Sequence, residues 1–292
     1  MEASTKLLFA DLVESRRIFA AAGSSPSFLP SSELKRLHDQ YSYPPEYGYD
    51  PDTLLRRGRG RTTQLLSLPG AQQSESFLEI ACSDGMVSCA LSEAGKQARA
   101  IDADGTSFDA RASRAGARLL EMDAADLQFD DDSVDFVFSY NAFEHFVAPE
   151  AVLREAIRVT RPGGSMYLEF GPLYYSPYGQ HAYRSITVPY CHLLFSEVQI
   201  NEFAGQNGLP LIDFTHVNGW SLKQYRRLWD KYSPVIDKAF YKESVDVTHL
   251  NLIRQYPSCF RSKSRHFEDF VVANISVLFR KSQSVPARLS GG

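Results

Sequence analysis

The sequence lacks the features that mark several classes of protein. It has only four cysteines among 292 residues, at positions 82, 89, 191 and 259. Their spacing matches neither a disulfide framework nor a zinc knuckle, so free thiols in a reducing cytoplasm are the simplest interpretation. No apolar run is long enough to span a bilayer, and no membrane partner is expected.

An excess of one charge sign is also missing. The formal net charge is −4, with 23% charged and 43% hydrophobic residues, as in an ordinary soluble globular protein. This balance gives no broad field for nucleic acid, and the basic run "RRGRGR" at 56–61 is short. The first residues mix acids with apolar side chains, which predicts an amphipathic helix rather than a signal peptide.

Strand and helix patterns alternate along the middle of the chain. A basic helix is predicted from Leu54 to about Leu68. Strands are predicted in "SFLEIA", "QARAIDAD", "ARLLEMDAADL", "SVDFVFSYN" and "SMYLEFG", with helices between them. Such alternation predicts a parallel sheet with right-handed crossovers. Near the end, "VTHLNLIRQY" and "FVVANISVLFR" are interpreted as two further strands, antiparallel at the sheet edge.

Irregular segments flank this pattern. Residues 1–53 are predicted to form an extension that starts as a helix and loosens into turn formers and aromatic residues. A long aromatic segment, 171–195, follows the fifth strand and predicts a lid or binding loop. Two helices, "SEVQINEFAGQNG" and "SLKQYRRLWDKY", are predicted after it. The main domain is therefore predicted over 54–292.

Glycine is scarce in the turn after the first strand, "FLEIACSDG". A dinucleotide needs glycines there so that its pyrophosphate can approach the backbone, and Ala81 and Ser83 obstruct that approach. Carboxylates at Glu79 and Asp84 would also repel a diphosphate. S-adenosylmethionine has no phosphate, and its ammonium and sulfonium favour nearby carboxylates. The acidic turn therefore favours the sulfonium cofactor. Asp102, which ends the second strand, suits a ribose in either cofactor.

Several stretches together carry a resemblance to a known family. "LEIACSDG", "AIDAD", "LLEMDAADLQFDDDSVDFVFSYNAFEHF" and "VTRPGGSMYLEF" occur in order and resemble a class I S-adenosylmethionine-dependent methyltransferase of the small-molecule group. The resemblance implies an α/β Rossmann-like fold with a seven-stranded, mostly parallel sheet. It also implies methyl transfer to an oxygen or nitrogen of a small-molecule acceptor in natural-product or saccharide biosynthesis. S-adenosylhomocysteine would be the product.

The resemblance also implies where the methionine end and the ribose of the cofactor bind. Asp102 would hold the ribose. The methionine end would lie against four residues of the turn region, namely Glu79, Ala81, Ser83 and Gly85. The family normally has glycine at two of these positions, which here carry alanine and serine.

The adenine and the sulfonium are expected further along the chain. Asp123, with Ala124, would meet the adenine through its exocyclic amine. Tyr140 and Asn141, at the end of the fourth strand, would supply backbone contacts near the sulfonium.

Arg57 and Arg61 lie one helical turn apart just before the first strand. Either arginine can clamp the carboxylate of the cofactor through its planar fork. The alternative, a solvated helix face with a salt bridge, is favoured because the run has more arginines than one carboxylate needs. Arg57 is kept as a candidate cofactor contact.

Two interpretations stay open for the histidines near the predicted acceptor site. His145, next to Glu144, is a candidate general base or an imidazole that fixes a loop. His181 and His192 are candidates for substrate contact, and His181 also for general base. A metal bound by these two with Glu169 or Glu197 matches no close-set ligand pattern, so no metal is expected.

The aromatic segment has two equally favoured interpretations. Its tyrosines would line an acceptor pocket, with Tyr175 and Tyr178 as the chosen substrate contacts, or would pack the loop. The full set is Tyr174, Tyr175, Tyr178, Tyr183 and Tyr190.

Three other functions compete with a small-molecule methyltransferase. A catalytically silent module with the same fold is supported only by Ala81 and Ser83. A nicotinamide dehydrogenase is opposed by the acidic turn and its missing glycines. A methyltransferase acting on nucleic acid is opposed by the net charge.

Overall fold

The computed structural model describes residues 2–45, 48–182 and 184–283. Seven strands form one sheet: β1 (Ser76–Ile80), β2 (Gln97–Asp102), β3 (Arg118–Glu121), β4 (Val134–Tyr140), β5 (Thr160–Phe170), β6 (Ile236–Val245) and β7 (Val272–Lys281). The helices are α1 (Glu2–Ala21), α2 (Ser31–Gln40), α3 (Pro51–Leu66), α4 (Met86–Glu93), α5 (Ala110–Arg114), α6 (Pro149–Val159), α7 (Cys191–Leu194), α8 (Glu197–Gln206), α9 (Leu222–Tyr232), α10 (Leu250–Gln255), α11 (Pro257–Arg261) and α12 (Glu268–Val271).

The strand order across the sheet is β3-β2-β1-β4-β5-β7-β6. Strands β1 to β5 pair in parallel, and β7 pairs antiparallel with β5. The order reverses between β1 and β4, which is where open α/β sheets bind ligands beyond the carboxyl ends of their strands. The predicted seven-stranded, mostly parallel Rossmann-like sheet is confirmed.

The chain divides into two compact units. Unit 1 comprises residues 1–46, 171–225 and 243–274, and unit 2 comprises 47–170, 226–242 and 275–292. The core of unit 1 combines aliphatic and aromatic residues, and Phe270 packs edge to face against both Phe19 and Phe260. The core of unit 2 lies on the sheet, around Phe77 and Phe136 on neighbouring strands.

One secondary-structure prediction was wrong, and one strand was not predicted. "VTHLNLIRQY" contains the helix α10 rather than a strand, because Leu250 and Ile253 are three residues apart and share a buried face. The edge strand is instead β6, whose largely exposed, charged residues gave no apolar signal. "FVVANISVLFR" does contain the antiparallel strand β7.

The N-terminal segment is more regular than predicted. A second helix, α2, follows Pro30 in a stretch interpreted as loose turns, and it buries Leu34 and Leu37 at helical spacing. Helix α3 begins three residues before the predicted Leu54, because Asp50 caps it through the backbone N–H of Thr53 and Pro51 suits its first turn.

Candidate cofactor site

The turn between β1 and α4 is closed by its own backbone and by β2. The backbone N–H of Cys82 donates to the carbonyl of Ile101 at 2.9 Å, and that of Gly85 donates to the carbonyl of Cys82 at 3.0 Å. The Oδ1 atom of Asp84 accepts from the backbone N–H of Met86 at 2.8 Å. This acidic side chain therefore satisfies an N–H group in the first turn of α4.

Three residues of this turn have left-handed backbones. The φ angles are 57° at Ala81, 51° at Ser83 and 74° at Gly85. Glycine adopts such angles freely, whereas other residues pay about 1–3 kcal/mol. A Cβ at Gly85 would lie 2.9 Å from the side chain of Leu119. The turn thus has a glycine-type conformation even where the sequence has replaced glycine.

Glu79 is buried beneath the turn, with 3% of its surface exposed. Its Oε2 atom accepts from the hydroxyl of Ser88 at 2.6 Å and from the backbone N–H of Ser88 at 3.1 Å. Burial raises the pKa of Glu79 to about 7, and Asp84 adds to the increase while the Ser88 hydrogen bonds oppose it. Its charge therefore changes near neutral pH.

Helix α3 carries two arginines to the same turn. It approaches α4 closely at Gly58, where a Cβ would lie 2.5 Å from the carbonyl oxygen of Met86. The Nη2 atom of Arg57 lies 3.5 Å from the Oδ2 atom of Asp84, and both side chains are less than one-fifth exposed. The guanidinium of Arg61 lies 4.8 Å from the ring centre of Tyr140. Arg57 thus forms the predicted salt bridge, but in a largely buried position rather than on a solvated face.

A pocket of about 150 Å³ opens at this place, beyond the carboxyl ends of β1 and β4. Six predicted cofactor residues line it: Arg57, Glu79, Ala81, Ser83, Tyr140 and Asn141. Sequence analysis missed Tyr49 and Leu54 and assigned no cofactor role to Cys82 or Asp84, although all four also line it. The tyrosine-rich stretch before α3 was the available signal for Tyr49. Burial raises the pKa of the Cys82 thiol, which agrees with an inert cysteine.

Asp102 adjoins the pocket from β2. Its Oδ2 atom accepts from the backbone N–H of Ser83 at 2.8 Å. Asp123 and Ala124 lie in the segment that follows β3. At the start of this segment, the backbone N–H of Met122 donates to the carbonyl of Asp102 at 2.8 Å. Asp123 is exposed and accepts from the N–H of Ala125, while Ala124 is buried. Asp102, Asp123 and Ala124 therefore lie at or beyond the carboxyl ends of their strands, as the pocket does, but they do not line it.

The segment after β4 contributes a second irregular backbone. Asn141 has a φ of 50°, and its N–H donates to the carbonyl of Glu169 on β5 at 2.7 Å. Tyr140 donates its hydroxyl to the carbonyl of Arg61 at 3.2 Å, and burial raises its pKa. The ends of β4 and β5 and helix α3 are thereby joined beside the pocket.

Glu144 and His145 follow β4. Glu144 is buried, with 1% exposure, whereas the His145 side chain is 35% exposed and its Nε2 atom lies 3.9 Å from the Oε1 atom of Glu144. Within unit 2, His145 does not line the pocket among the described residues. The general-base and structural roles of His145 both stay predictions.

In unit 1, His192 occupies a core position. It is 6% exposed, and its Nε2 atom lies 2.5 Å from the carbonyl oxygen of Tyr174. Burial lowers the pKa of His192 to about 4, so the imidazole is neutral at physiological pH. This environment supports a packing role more than substrate contact.

The other predicted residues of unit 1 have partners within that unit. The Nε2 atom of His181 lies 3.3 Å from the carbonyl oxygen of Pro172, and the centres of the His181 and His216 rings are 5.7 Å apart. The hydroxyl of Tyr178 is 3.1 Å from the Nε2 atom of His249. The Tyr175 ring contacts Phe270 edge-on.

Two more tyrosines of the predicted set were assigned no individual role. Tyr190 is fully buried and donates to the carbonyl of Phe270. Tyr183 lies outside the described residues. The packing interpretation therefore holds for Tyr190, and the pocket interpretation stays a prediction for Tyr175 and Tyr178.

Among the described residues, no helix combines the length and apolar character that crossing a bilayer requires.

Known proteins match part of this chain, including the turn after β1. Residues 78–168 match a family described as a methyltransferase domain. An uncharacterized methyltransferase of Mycobacterium sp. (strain JLS) is 31% identical over 107 residues, which cover 36% of this chain and 42% of that protein. One of Mycolicibacterium gilvum (strain PYR-GCK) is 29% identical over 133 residues, covering 44% and 48%. The chain therefore spans less than half the length of these curated relatives.

A solved structure matches more of the chain. The PH0226 protein of Pyrococcus horikoshii OT3 has a TM-score of 0.50 and 16% identity, covering 78% of this chain and 91% of that protein. At this identity the likeness shows the fold alone. The family match shows that residues 78–168 are similar to a methyltransferase domain, and the likeness to this solved structure shows that the chain shares its fold. The resemblance recognised in the sequence is confirmed.

Proposed function

We propose that this chain binds S-adenosylmethionine in the pocket beyond β1 and β4 and transfers its methyl group to an oxygen or nitrogen of a small molecule. The observation that carries the proposal is the acidic turn at the point of strand reversal. Carboxylates of Glu79 and Asp84 line this pocket, where a dinucleotide would place its diphosphate. Asp84, and Glu79 when it is ionised, would attract an ammonium and a sulfonium, while Arg57 and Arg61 in the same lining balance this charge and suit a carboxylate.

The residues present fit the other parts of this cofactor. Arg57 and Arg61 supply guanidinium groups for its carboxylate. Asp102 supplies a carboxylate at the end of β2 for the ribose, and Asp123 follows β3 for the adenine amine. Asp102 also positions the turn through Ser83. These cofactor roles are proposals for the individual residues.

When bound, S-adenosylmethionine supplies a methyl group on a positively charged sulfur that leaves as a thioether. The chain's own contribution is to hold the acceptor in line with that methyl group, which alone can provide much of the acceleration. His145 or His181 would then remove the acceptor's proton. No metal is included in this mechanism.

The acceptor is proposed to be a small molecule, with a biosynthetic role in natural-product or saccharide modification. The net charge of −4 gives no support to nucleic acid as a substrate. Tyr175, Tyr178 and His181 stay the candidate acceptor contacts. The predicted lid at 171–195, the domain boundary at residues 53 and 54, and a cytoplasmic location also stay predictions.

One observation favours a second candidate, a silent binding module of the same fold. Ala81 and Ser83 have side chains at positive φ in the turn, where they occupy space that glycine would leave open. If these side chains close the pocket, the fold persists without its cofactor.

Calorimetric titration separates the two candidates. The purified chain is titrated with S-adenosylmethionine, S-adenosylhomocysteine and NAD. Micromolar binding of both sulfur compounds without NAD binding supports the methyltransferase and justifies a screen of hydroxyl and amine acceptors by product mass. Binding of neither sulfur compound would overturn the proposal in favour of the silent module.

A further inference from the structure

Unit 2 has a second pocket at the opposite ends of the parallel strands. It has a volume of about 190 Å³ and lies near the amino ends of β4 and β5. Its lining includes Gly70, Asp135, Arg161, Gly163 and Arg280. We call it the amino-edge pocket. A seven-residue strand such as β4 is roughly 20 Å long, so this pocket is distinct from the cofactor site at the other end of β4.

The single carboxylate in the lining is already engaged. The Oδ2 atom of Asp135 accepts from the backbone N–H groups of Glu75 and Ser76 at 2.8 and 2.9 Å, and its Oδ1 atom accepts from the Nε of Arg161. Burial alone would raise the pKa of Asp135, but these hydrogen bonds outweigh it and lower the pKa below its usual value. Asp135 therefore stays ionised and binds the Nε side of the Arg161 guanidinium.

The remaining donors in the pocket belong to two guanidinium groups. Arg161 contacts Asp135 through its Nε atom. Its two terminal nitrogens, Nη1 and Nη2, have no hydrogen-bond partner among the described residues. The guanidinium of Arg280, near the end of β7, is exposed and has no hydrogen-bond or ion-pair partner among the residues that the structure describes. It pairs in register with Ser165, which also lines the pocket. Two arginines against one carboxylate leave a net charge of +1.

The backbone gives access to these donors. Gly70 lines the pocket without a side chain, and a Cβ there would lie 3.5 Å from the Oγ of Ser165 and 3.9 Å from the Nη2 of Arg280. Guanidinium groups present planar pairs of N–H donors that match the oxygens of a phosphate.

We propose that the amino-edge pocket binds a phosphate group, held between Arg161 and Arg280. The shared chemistry is that of a tetrahedral oxyanion, either free phosphate or the phosphate of a small monoester. The site is independent of the proposed methyl transfer, since its residues lie at the other edge of the sheet.

The test is calorimetry of the whole chain at low ionic strength with inorganic phosphate, glycerol 1-phosphate and acetate. We expect both phosphates to bind more tightly than acetate. A preference between the two phosphates distinguishes the free ion from a monoester. The Arg280→Gln variant should weaken phosphate binding about tenfold, as expected for losing one charge-assisted contact, while Arg280→Lys should lose less.

A matched control is Arg118→Gln. Arg118 is also an exposed strand arginine, on β3, outside the lining of the amino-edge pocket. Thermal unfolding of each variant verifies the fold. The proposal is overturned if the wild-type chain binds no phosphate at about 10 mM, roughly ten times a dissociation constant of 1 mM, or if both glutamine variants weaken binding equally.

Discussion

Asp102 holds the turn between β1 and α4 in place, because its Oδ2 atom accepts a 2.8 Å hydrogen bond from the backbone N–H of Ser83. The residue that the sequence assigns to the ribose therefore also positions the turn. Through this bond, the end of β2 fixes the backbone that follows β1.

The Asp102→Ala variant should bind S-adenosylhomocysteine about tenfold or more weakly, since hydrogen bonds to charged groups are worth about 1.5–3 kcal/mol. Asp102→Asn keeps an acceptor for Ser83 and should retain the stability of the wild type but not its affinity. Calorimetry and thermal unfolding measure the two effects. Asp104→Ala is the control, because Asp104 is exposed and accepts from Thr106 outside the pocket. An equal loss of affinity in this control would contradict the assignment.

The two glycines of the basic run should respond in opposite directions. Gly58→Ala places a Cβ 2.5 Å from the carbonyl oxygen of Met86, so α3 and α4 must separate at a cost of about 1–3 kcal/mol. Gly60→Ala meets nothing within 4 Å and should stabilise the helix by up to about 1 kcal/mol. Urea unfolding compares the two variants. If both lose the same stability, the close approach of α3 to α4 does not exist.

Restoring glycine at Ala81 should cost no stability, although glycine usually destabilises. The φ of 57° is strained for alanine, and relief of this strain offsets the greater freedom of glycine in the unfolded chain. Ala90→Gly, in helix α4, should instead destabilise by about 1 kcal/mol or more. Chemical denaturation tests both variants. Ala81→Gly should also raise the affinity for S-adenosylmethionine by opening the pocket, and a large loss of stability would argue against the left-handed turn.

Glu79 should make stability depend on pH near neutrality. Its pKa in the folded chain is about 7, above the ordinary value of 4.5, so the folded state holds the proton more tightly. The stabilisation that results is complete below pH 4.5 and is lost as the pH rises through 7, on the order of 3 kcal/mol in total. Glu79→Gln cannot titrate. The difference in unfolding free energy between the variant and the wild type should therefore grow from pH 5 to pH 8, and a constant difference would refute a buried, titrating Glu79.

Arg57 should contribute to cofactor affinity and its neighbour Arg56 should not. Arg57 is largely buried beside Asp84, whereas Arg56 is exposed and donates to the hydroxyl of Thr53. Arg57→Gln is expected to weaken S-adenosylhomocysteine binding about tenfold, because it removes a charged partner of the ligand's carboxylate. Arg56→Gln should bind like the wild type. Similar affinities for both variants would leave Arg57 with a purely structural role.

Much of the sheet could be predicted because burial leaves a local signature. The apolar strands β1, β4 and β5 and the helices between them are visible as periodic patterns. Strand β6 was missed because it lies at the sheet edge with most residues exposed, so no core selects its side chains. Helix α10 was mistaken for a strand because a short apolar run is compatible with both periods.

The sequence by itself predicted the chemistry of the candidate cofactor site. Carboxylates at Glu79 and Asp84, together with Ala81 and Ser83 where a dinucleotide turn has glycine, disfavour a diphosphate, and this follows from residue type alone. Only the tertiary structure decided which side of α3 faces the site, because the contact of Gly58 with α4 turns Arg57 inward and leaves Arg56 exposed. It also decided the state of Glu79 and His192, whose pKa shifts arise from burial by residues distant in the chain.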